Sequence, residues 1–336
     1  MPFETFDLSK LKLLPLSERK HDLNLKDILT IDDPLPPYDF NPDLDEIYKA
    51  ILKAKQHKAS VILMYGAHVI KRGLARFLIR LIEEGYVTHL ATNGAGAIHD
   101  FEMAMVGGTT ESVEQYISQG QFGLWQETGL LNQAVSDGAK NGLGFGEAVG
   151  KYILENNFPH TECSVLATGY RLQIPVTVHV GIGCDIVHQH PNCDGAAIGK
   201  ATLTDFLIYA KSMENLENGV FLNVGSAVIG PEVYLKCLAM ARNVAHQQGR
   251  KITNFTTAVF DTQPLSGDIH STPPMSNPQY YFRPWKTILA RTMVDGGKSY
   301  YIQGDHRATL GNLTTKLLRI PTGNSYTPGG SNETNI

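Results

Sequence analysis

Long apolar runs, cysteine, tryptophan and blocks of one charge are what this sequence has least of. No stretch approaches the ~20 consecutive apolar residues that a membrane-spanning helix needs, so a membrane is not an expected partner. Four cysteines (Cys163, Cys184, Cys193 and Cys237) among 336 residues do not make a disulfide scaffold. Lys and Arg number 29 against 33 Asp and Glu, a formal net charge of -4. No basic block exceeds pairs such as Lys71-Arg72, which removes the electrostatic case for nucleic acid or an anionic lipid surface. The opening segment has neither the charged-then-apolar order of a secretory signal nor the Arg-rich, acid-poor character of a transit peptide, and the expected location is cytoplasmic. No repeat of solenoid or propeller period occurs, and no G-x-G-x-x-G opens a helix after a strand.

What is present is an ordinary globular composition, 42% hydrophobic and 18% charged. Short apolar runs bounded by glycine alternate with segments of helical spacing. Strand-like runs fall at 60–66, 86–92, 174–183, 219–225, 251–261 and 298–305. Helical patterns separate them, among them 69–85, where Ile70, Leu74, Phe77, Leu78 and Leu81 form one stripe. Buried strands alternating with amphipathic helices predict an α/β fold: a mostly parallel, doubly wound sheet with helices on both faces. The Pro- and Asp-rich residues 1–45 read as an arm on the body or on a neighbouring subunit, 46–320 as one α/β domain, and the polar stretch 321–336 as a flexible tail.

In such a sheet, ligands bind beyond the C-terminal ends of the strands. Several strand ends here are built of small residues: "YGAHVIKRG" (65–73), "ATNGAGAIHD" (91–100), "VGIGCDIVHQHP" (180–191) and "NVGSAVIGPE" (223–232). Small residues let backbone approach a ligand, and helix N-termini offer free N–H groups to phosphate, so their recurrence favours a nucleotide or dinucleotide. The segment "GCDIVHQHPNCD" concentrates Cys184, Asp185, His188, His190, Cys193 and Asp194, but its spacing matches no structural zinc pattern. No metal is expected, and a metal-assisted hydrolase using 183–194 stands as an alternative. His99 or His188 would serve as general acid/base near neutral pH, with Asp100 orienting substrate or His99.

The order of these motifs resembles the deoxyhypusine synthase family over roughly residues 60–318. Gly66-Ala67-His68 is similar to the family's Thr-Ser-Asn turn, and "TNGAGAIHD" to its Thr-Ala-Gly-Gly turn with following acidic residues. Gly225-Ser226-Ala227 resembles its Gly-Gly-Gly turn, Thr256-Thr257-Ala258 its Asn-Thr-Ala segment, and Gly304-Asp305-His306 its Ala-Asp-Ala turn. The resemblance implies an NAD-binding α/β domain, usually a homotetramer, that passes an aminobutyl group from a polyamine through a lysine imine. It implies cofactor contacts at Gly66, His68, Thr92, Asn93, Gly94, Gly96, Gly225, Ser226, Thr257 and Asp305. It also places His99 and Asp100 toward the amine and makes Lys286 the imine candidate. Two departures stand out: Trp285 and Lys286 are adjacent where the family has Trp-Gly-Lys, and His99 replaces an expected acid. The expectation is therefore a deoxyhypusine-synthase-like enzyme acting on an amine, polyamine or related small metabolite, and not deoxyhypusine synthesis itself. A catalytically degenerate nucleotide sensor is the further alternative.

Overall fold

The computed structural model describes residues 3–38 and 41–319, so the tail expected at 321–336 lies outside the described residues. Among the described residues there are eight strands: β1 Leu23–Asn24, β2 Val61–Tyr65, β3 His89–Asn93, β4 Gly108–Thr109, β5 Val176–His179, β6 Val220–Val224, β7 Thr256–Asp261 and β8 Lys298–Gln303. The helices are α1 Pro42–His57, α2 Ala67–Lys71, α3 Ala75–Glu83, α4 Gly94–Val106, α5 Val113–Ser118 and α6 Leu130–Lys140. They continue as α7 Phe145–Glu155, α8 Val165–Leu172, α9 Gly195–Met213, α10 Ile229–Gln247 and α11 Asn312–Leu318, with a π-helix at Trp285–Ala290. None of the described helices is long and apolar enough to cross a membrane.

Six strands form one parallel sheet in the order β5-β3-β2-β6-β7-β8. Numbered along the chain, that is 3-2-1-4-5-6, the doubly wound order, and the direction of winding reverses between β2 and β6. Every residue of β2 and β6 is buried, as expected where helices cover both faces. One face packs Leu63, Tyr65, Leu222 and Val224 against α1, α3, α4 and α11. The other packs Ile62, Met64 and Phe221 against α9, α10 and the π-helix, with Phe221 and Tyr234 stacked at 4.1 Å.

The helical stripe at 69–85 is two helices, α2 and α3, not one. Gly73 turns between them with φ +79°, and its carbonyl accepts the Leu29 N–H at 2.9 Å. The arm thus runs over this break. It is fixed at further points: β1 pairs antiparallel with β4, and the Leu16 amide donates to Glu127 at 2.6 Å. Residues 107–160 contribute α5, α6 and α7 beside the sheet. Asp205 of α9 stands at the start of α7 and accepts from Gly146 N–H at 2.9 Å and Val178 N–H at 2.7 Å.

Candidate functional site

At the reversal point the turns after β2 and β6 meet backbone to backbone. A Cβ on Gly66 would lie 2.1 Å from the Gly225 carbonyl oxygen, so no larger residue fits there. Gly225 has φ +62°, and its missing side chain leaves room for the His306 ring, whose Nε2 lies 2.5 Å from where a Cβ would be. His306 is only 6% exposed, and its Nδ1 is enclosed without a hydrogen-bond partner. Desolvation lowers its basicity, against the raising pull of Asp261 and Asp305. Asp305 is held from two sides: Arg72 Nη2 donates to Oδ2 at 2.5 Å and the Arg307 amide to Oδ1 at 2.8 Å. Ser226 Oγ accepts the Gly230 N–H at 2.9 Å and so caps the first turn of α10. Gly66, Gly225 and Ser226 therefore meet at the reversal point, the place where a doubly wound sheet has its crevice, with Asp305 next to the His306 ring and the exposed His68 at the start of α2.

A cavity of about 280 Å³ opens beside this crevice, beyond β3 and β5. Arg19 of the arm, Lys71, His99, Glu102, Glu111 and Asp185 bring charge or a titratable ring to its wall. Lys71 on the cavity wall is followed in the chain by Arg72, whose guanidinium pairs with Asp305 at the crevice. Glu102 and Arg19 form a two-pronged ion pair, Nη1 to Oε1 at 2.9 Å and Nη2 to Oε2 at 2.8 Å, with both side chains 1% exposed. Thr128 Oγ1 (2.6 Å) and Thr109 Oγ1 (2.7 Å) also donate to that carboxylate, and Thr109 Oγ1 lies 2.9 Å from His99 Nδ1. Burial pushes His99 down to about 4, against the raising effect of Glu102. Burial pushes Asp185 up to about 6, offset in part by the Ala95 amide. Burial also raises Glu111, although Trp125 Nε1 at 2.8 Å and Gly123 N–H at 3.0 Å donate to it. Thr110, a β-branched residue, lines the same wall at φ +63°, a strained conformation of the kind that clusters at working sites.

The other expected site residues are placed elsewhere or used differently. Thr92 Oγ1 donates to the Tyr65 carbonyl at 3.0 Å, and Asn93 Oδ1 accepts Gly96 N–H at 2.9 Å, capping α4. The N-terminus of α4 at Gly94 faces the Asp185 carboxylate. Asp100 is buried and points away from the cavity, accepting from Ser164 Oγ (2.5 Å) and Val165 N–H (2.7 Å) at the start of α8. Thr257 sits near the N-terminal end of β7, donating to Ile288 O at 3.2 Å; the crevice lies at the other end, by Asp261. Lys286 is buried on the π-helix with Nζ 3.5 Å from the Tyr280 ring, on the opposite sheet face from α4. The 183–194 segment does not converge. His188 Nδ1 accepts from Gly183 (3.2 Å) and Asp185 (3.0 Å) amides, whereas His190 Nε2 donates to Gly123 O at 2.8 Å. Among the described residues, no three His, Cys, Asp or Glu side chains are grouped to hold a metal ion.

Arg19, Glu111 and Arg72 were not marked out by local sequence, Glu102 only as the end of the polar run with His99 and Asp100, and His306 only as part of the turn at Asp305. Glu102 had one usable signal: it follows His99 by three positions, which puts the two on one helix face. Arg19 had none, because its partner lies 83 residues away.

One family model agrees with this architecture at the level of the fold. The family model for the C-terminal Rossmann-fold domain of arginine dihydrolase ArgZ-like proteins matches residues 45–138. No curated protein matches the chain. Among solved structures, the AgrE ternary complex with ornithine and NAD+ is similar at 17% identity and a TM-score of 0.48, covering 82% of this chain and 32% of AgrE. A conserved LOR/SDH protein from Methanococcus maripaludis S2 is similar at 13% identity and 0.49, covering 91% of this chain and 74% of that one. A deoxyhypusine synthase-like structure from Entamoeba histolytica stands at 10% identity and 0.47, covering 83% and 88%. This chain thus spans about a third of the length of AgrE. Likeness at this level assigns neither activity nor ligand to it.

Proposed function

We propose that this chain is an NAD-binding enzyme that acts on a small amine, polyamine or amino-acid-like metabolite. The observation that carries this reading is the 3-2-1-4-5-6 parallel sheet with a glycine-walled crevice at its reversal point and a charged cavity beside it. The crevice fits a dinucleotide on its own features. Gly66 and Gly225 let the two turns and the His306 ring meet there without side chains between them, Ser226 and Asp305 stand at its edge, and the buried His306 Nδ1 lacks a partner. Gly66, Gly225, Ser226 and Asp305 would hold the nucleotide, with His68 toward the cavity. When bound, NAD would supply a hydride acceptor.

The cavity suits a cationic or hydrogen-bond-donating substrate. Glu111 and Asp185 are carboxylates whose burial leaves them short of counter-charge, and an ammonium group would supply it. Glu102 is already saturated by Arg19, Thr109 and Thr128, so its part is to hold the wall. Burial keeps His99 neutral at neutral pH and makes it a weak base, so it would accept a hydrogen bond from a substrate donor and does not suit the acid/base role expected from sequence. Lys286 lies on the other face of the sheet, so the reading drops the lysine imine and keeps the cofactor and the amine.

A thermal-shift panel with NAD+, NADH, spermidine, ornithine and lysine tests it. A ligand at about 100 times its Kd adds roughly 2.7 kcal/mol of stability, a readable shift. A response to a nicotinamide cofactor, enlarged by one of the amines, is expected. Silence toward both cofactor forms would end the reading.

A further inference from the structure

We infer that Thr109 locks His99 in the Nδ1–H tautomer and so presents Nε2 to the cavity as an unprotonated acceptor. The Glu102 carboxylate is ionised, because the buried Arg19 guanidinium is paired with it by two hydrogen bonds. An ionised carboxylate only accepts, and at 2.7 Å from Thr109 Oγ1 it takes the single hydroxyl hydrogen of that residue. Thr109 Oγ1 then has only lone pairs left for its second neighbour, His99 Nδ1, at 2.9 Å. That contact is a hydrogen bond only if Nδ1 carries the proton. In a neutral ring Nε2 is consequently bare.

Nε2 has no protein partner among the described residues and is not among the enclosed, unpartnered atoms, while the ring lines the cavity. The order Arg19, Glu102, Thr109, His99 is therefore a relay that fixes the direction of one hydrogen bond at the cavity wall. Its members come from the arm, from β4 and from one face of α4, and Thr109 is fully buried in β4 where it pairs with Leu23 of β1. The charged and titratable groups facing His99 are Glu102, Lys71, Arg19 and His68. Resting on the reading that the cavity takes the substrate, the lock narrows the substrate class. The group that meets His99 must donate an N–H or O–H, so amines and alcohols are accepted there and a carboxylate or ketone oxygen is not. Thr109 is thereby a positioning residue, acting through His99.

The test is a long-range 15N–1H spectrum of the 15N-histidine-labelled chain without ligand at pH 7, with the His99 signals identified by loss in His99→Gln. The expected result is a pyrrole-type Nδ1 and a pyridine-type Nε2, retained in Thr109→Ser and lost in Thr109→Val, which keeps the shape but has no hydroxyl. A pyrrole-type Nε2 in the unaltered chain, or a Thr109→Val spectrum identical to it, would overturn the lock. If Thr109→Val does not fold, the unaltered chain and Thr109→Ser still decide. No cofactor is needed for the spectrum, so failure of NAD binding and failure of the lock are separate outcomes.

Discussion

Glu102 accepts from Arg19, Thr109 and Thr128 at once, and replacing it leaves a guanidinium buried without counter-charge. Breaking such a pair from one side costs roughly 3–5 kcal/mol, whereas an apolar replacement of both partners is often near neutral. Glu102→Ala is therefore expected to lower the urea midpoint strongly, and Arg19→Met combined with Glu102→Leu to recover most of it. A double variant as unstable as the single one would show that the pair is not what the arm depends on. His89 provides a second check on buried groups. Its ring bridges Ser212 (2.7 Å) and Thr177 (2.9 Å), and burial pushes it down to about 3. Between pH 3 and the ordinary histidine value of 6.5, the unfolded chain binds this proton and the folded chain does not. Stability is thus lost as pH falls through that window, by about 1.4 kcal/mol per unit for this one site. The stability difference between the unaltered chain and His89→Gln should change with that slope below pH 6.5, and a difference independent of pH would contradict it.

Among the elements, the turns after β2 and β6 have the least room. Gly66→Ala would drive a methyl group into the Gly225 carbonyl, and overpacking of this kind costs about 1–3 kcal/mol. The expected outcome is a lower melting temperature together with weaker nucleotide binding. A variant that melts and binds like the unaltered chain would mean that the turns are not in contact. Asp205 stabilises the start of α7 by accepting from Gly146 and Val178, so Asp205→Ala should cost about 1–3 kcal/mol by leaving those amides unpaired. An unchanged denaturation curve would exclude that role. The elements themselves were legible because buried parallel strands are short, continuous apolar runs, and those at 60–66 and 219–225 fall on β2 and β6. The break between α2 and α3 was not legible: the apolar stripe runs through it, and the reason for the turn at Gly73 is the arm crossing it.

At the scale of the molecule, pattern reading marked the turns that the fold brings together at the reversal of the sheet. Gly66, Gly225 and Ser226 follow strands directly, and a strand end is visible in sequence. The cavity is assembled by distant pieces: Arg19 from the arm, Glu111 held by the Trp125 and Gly123 segment, and Asp185 after β5. No local pattern encodes such meetings, and Asp100 and Thr257 show the converse, polar residues in motif-like surroundings whose hydrogen bonds are spent inside the fold. The central claim is that the crevice where the winding of the sheet reverses binds a nicotinamide dinucleotide. Calorimetric titration of NAD+ and NADH into the unaltered chain and into Ala227→Trp addresses it directly, since Ala227 is an exposed residue of the turn after β6 and a bulky ring there obstructs the crevice without burdening the core. Saturable one-site binding of at least one form by the unaltered chain, and its loss in a variant that melts normally, is the expected result. No binding of either form, or undiminished binding by Ala227→Trp, would contradict it.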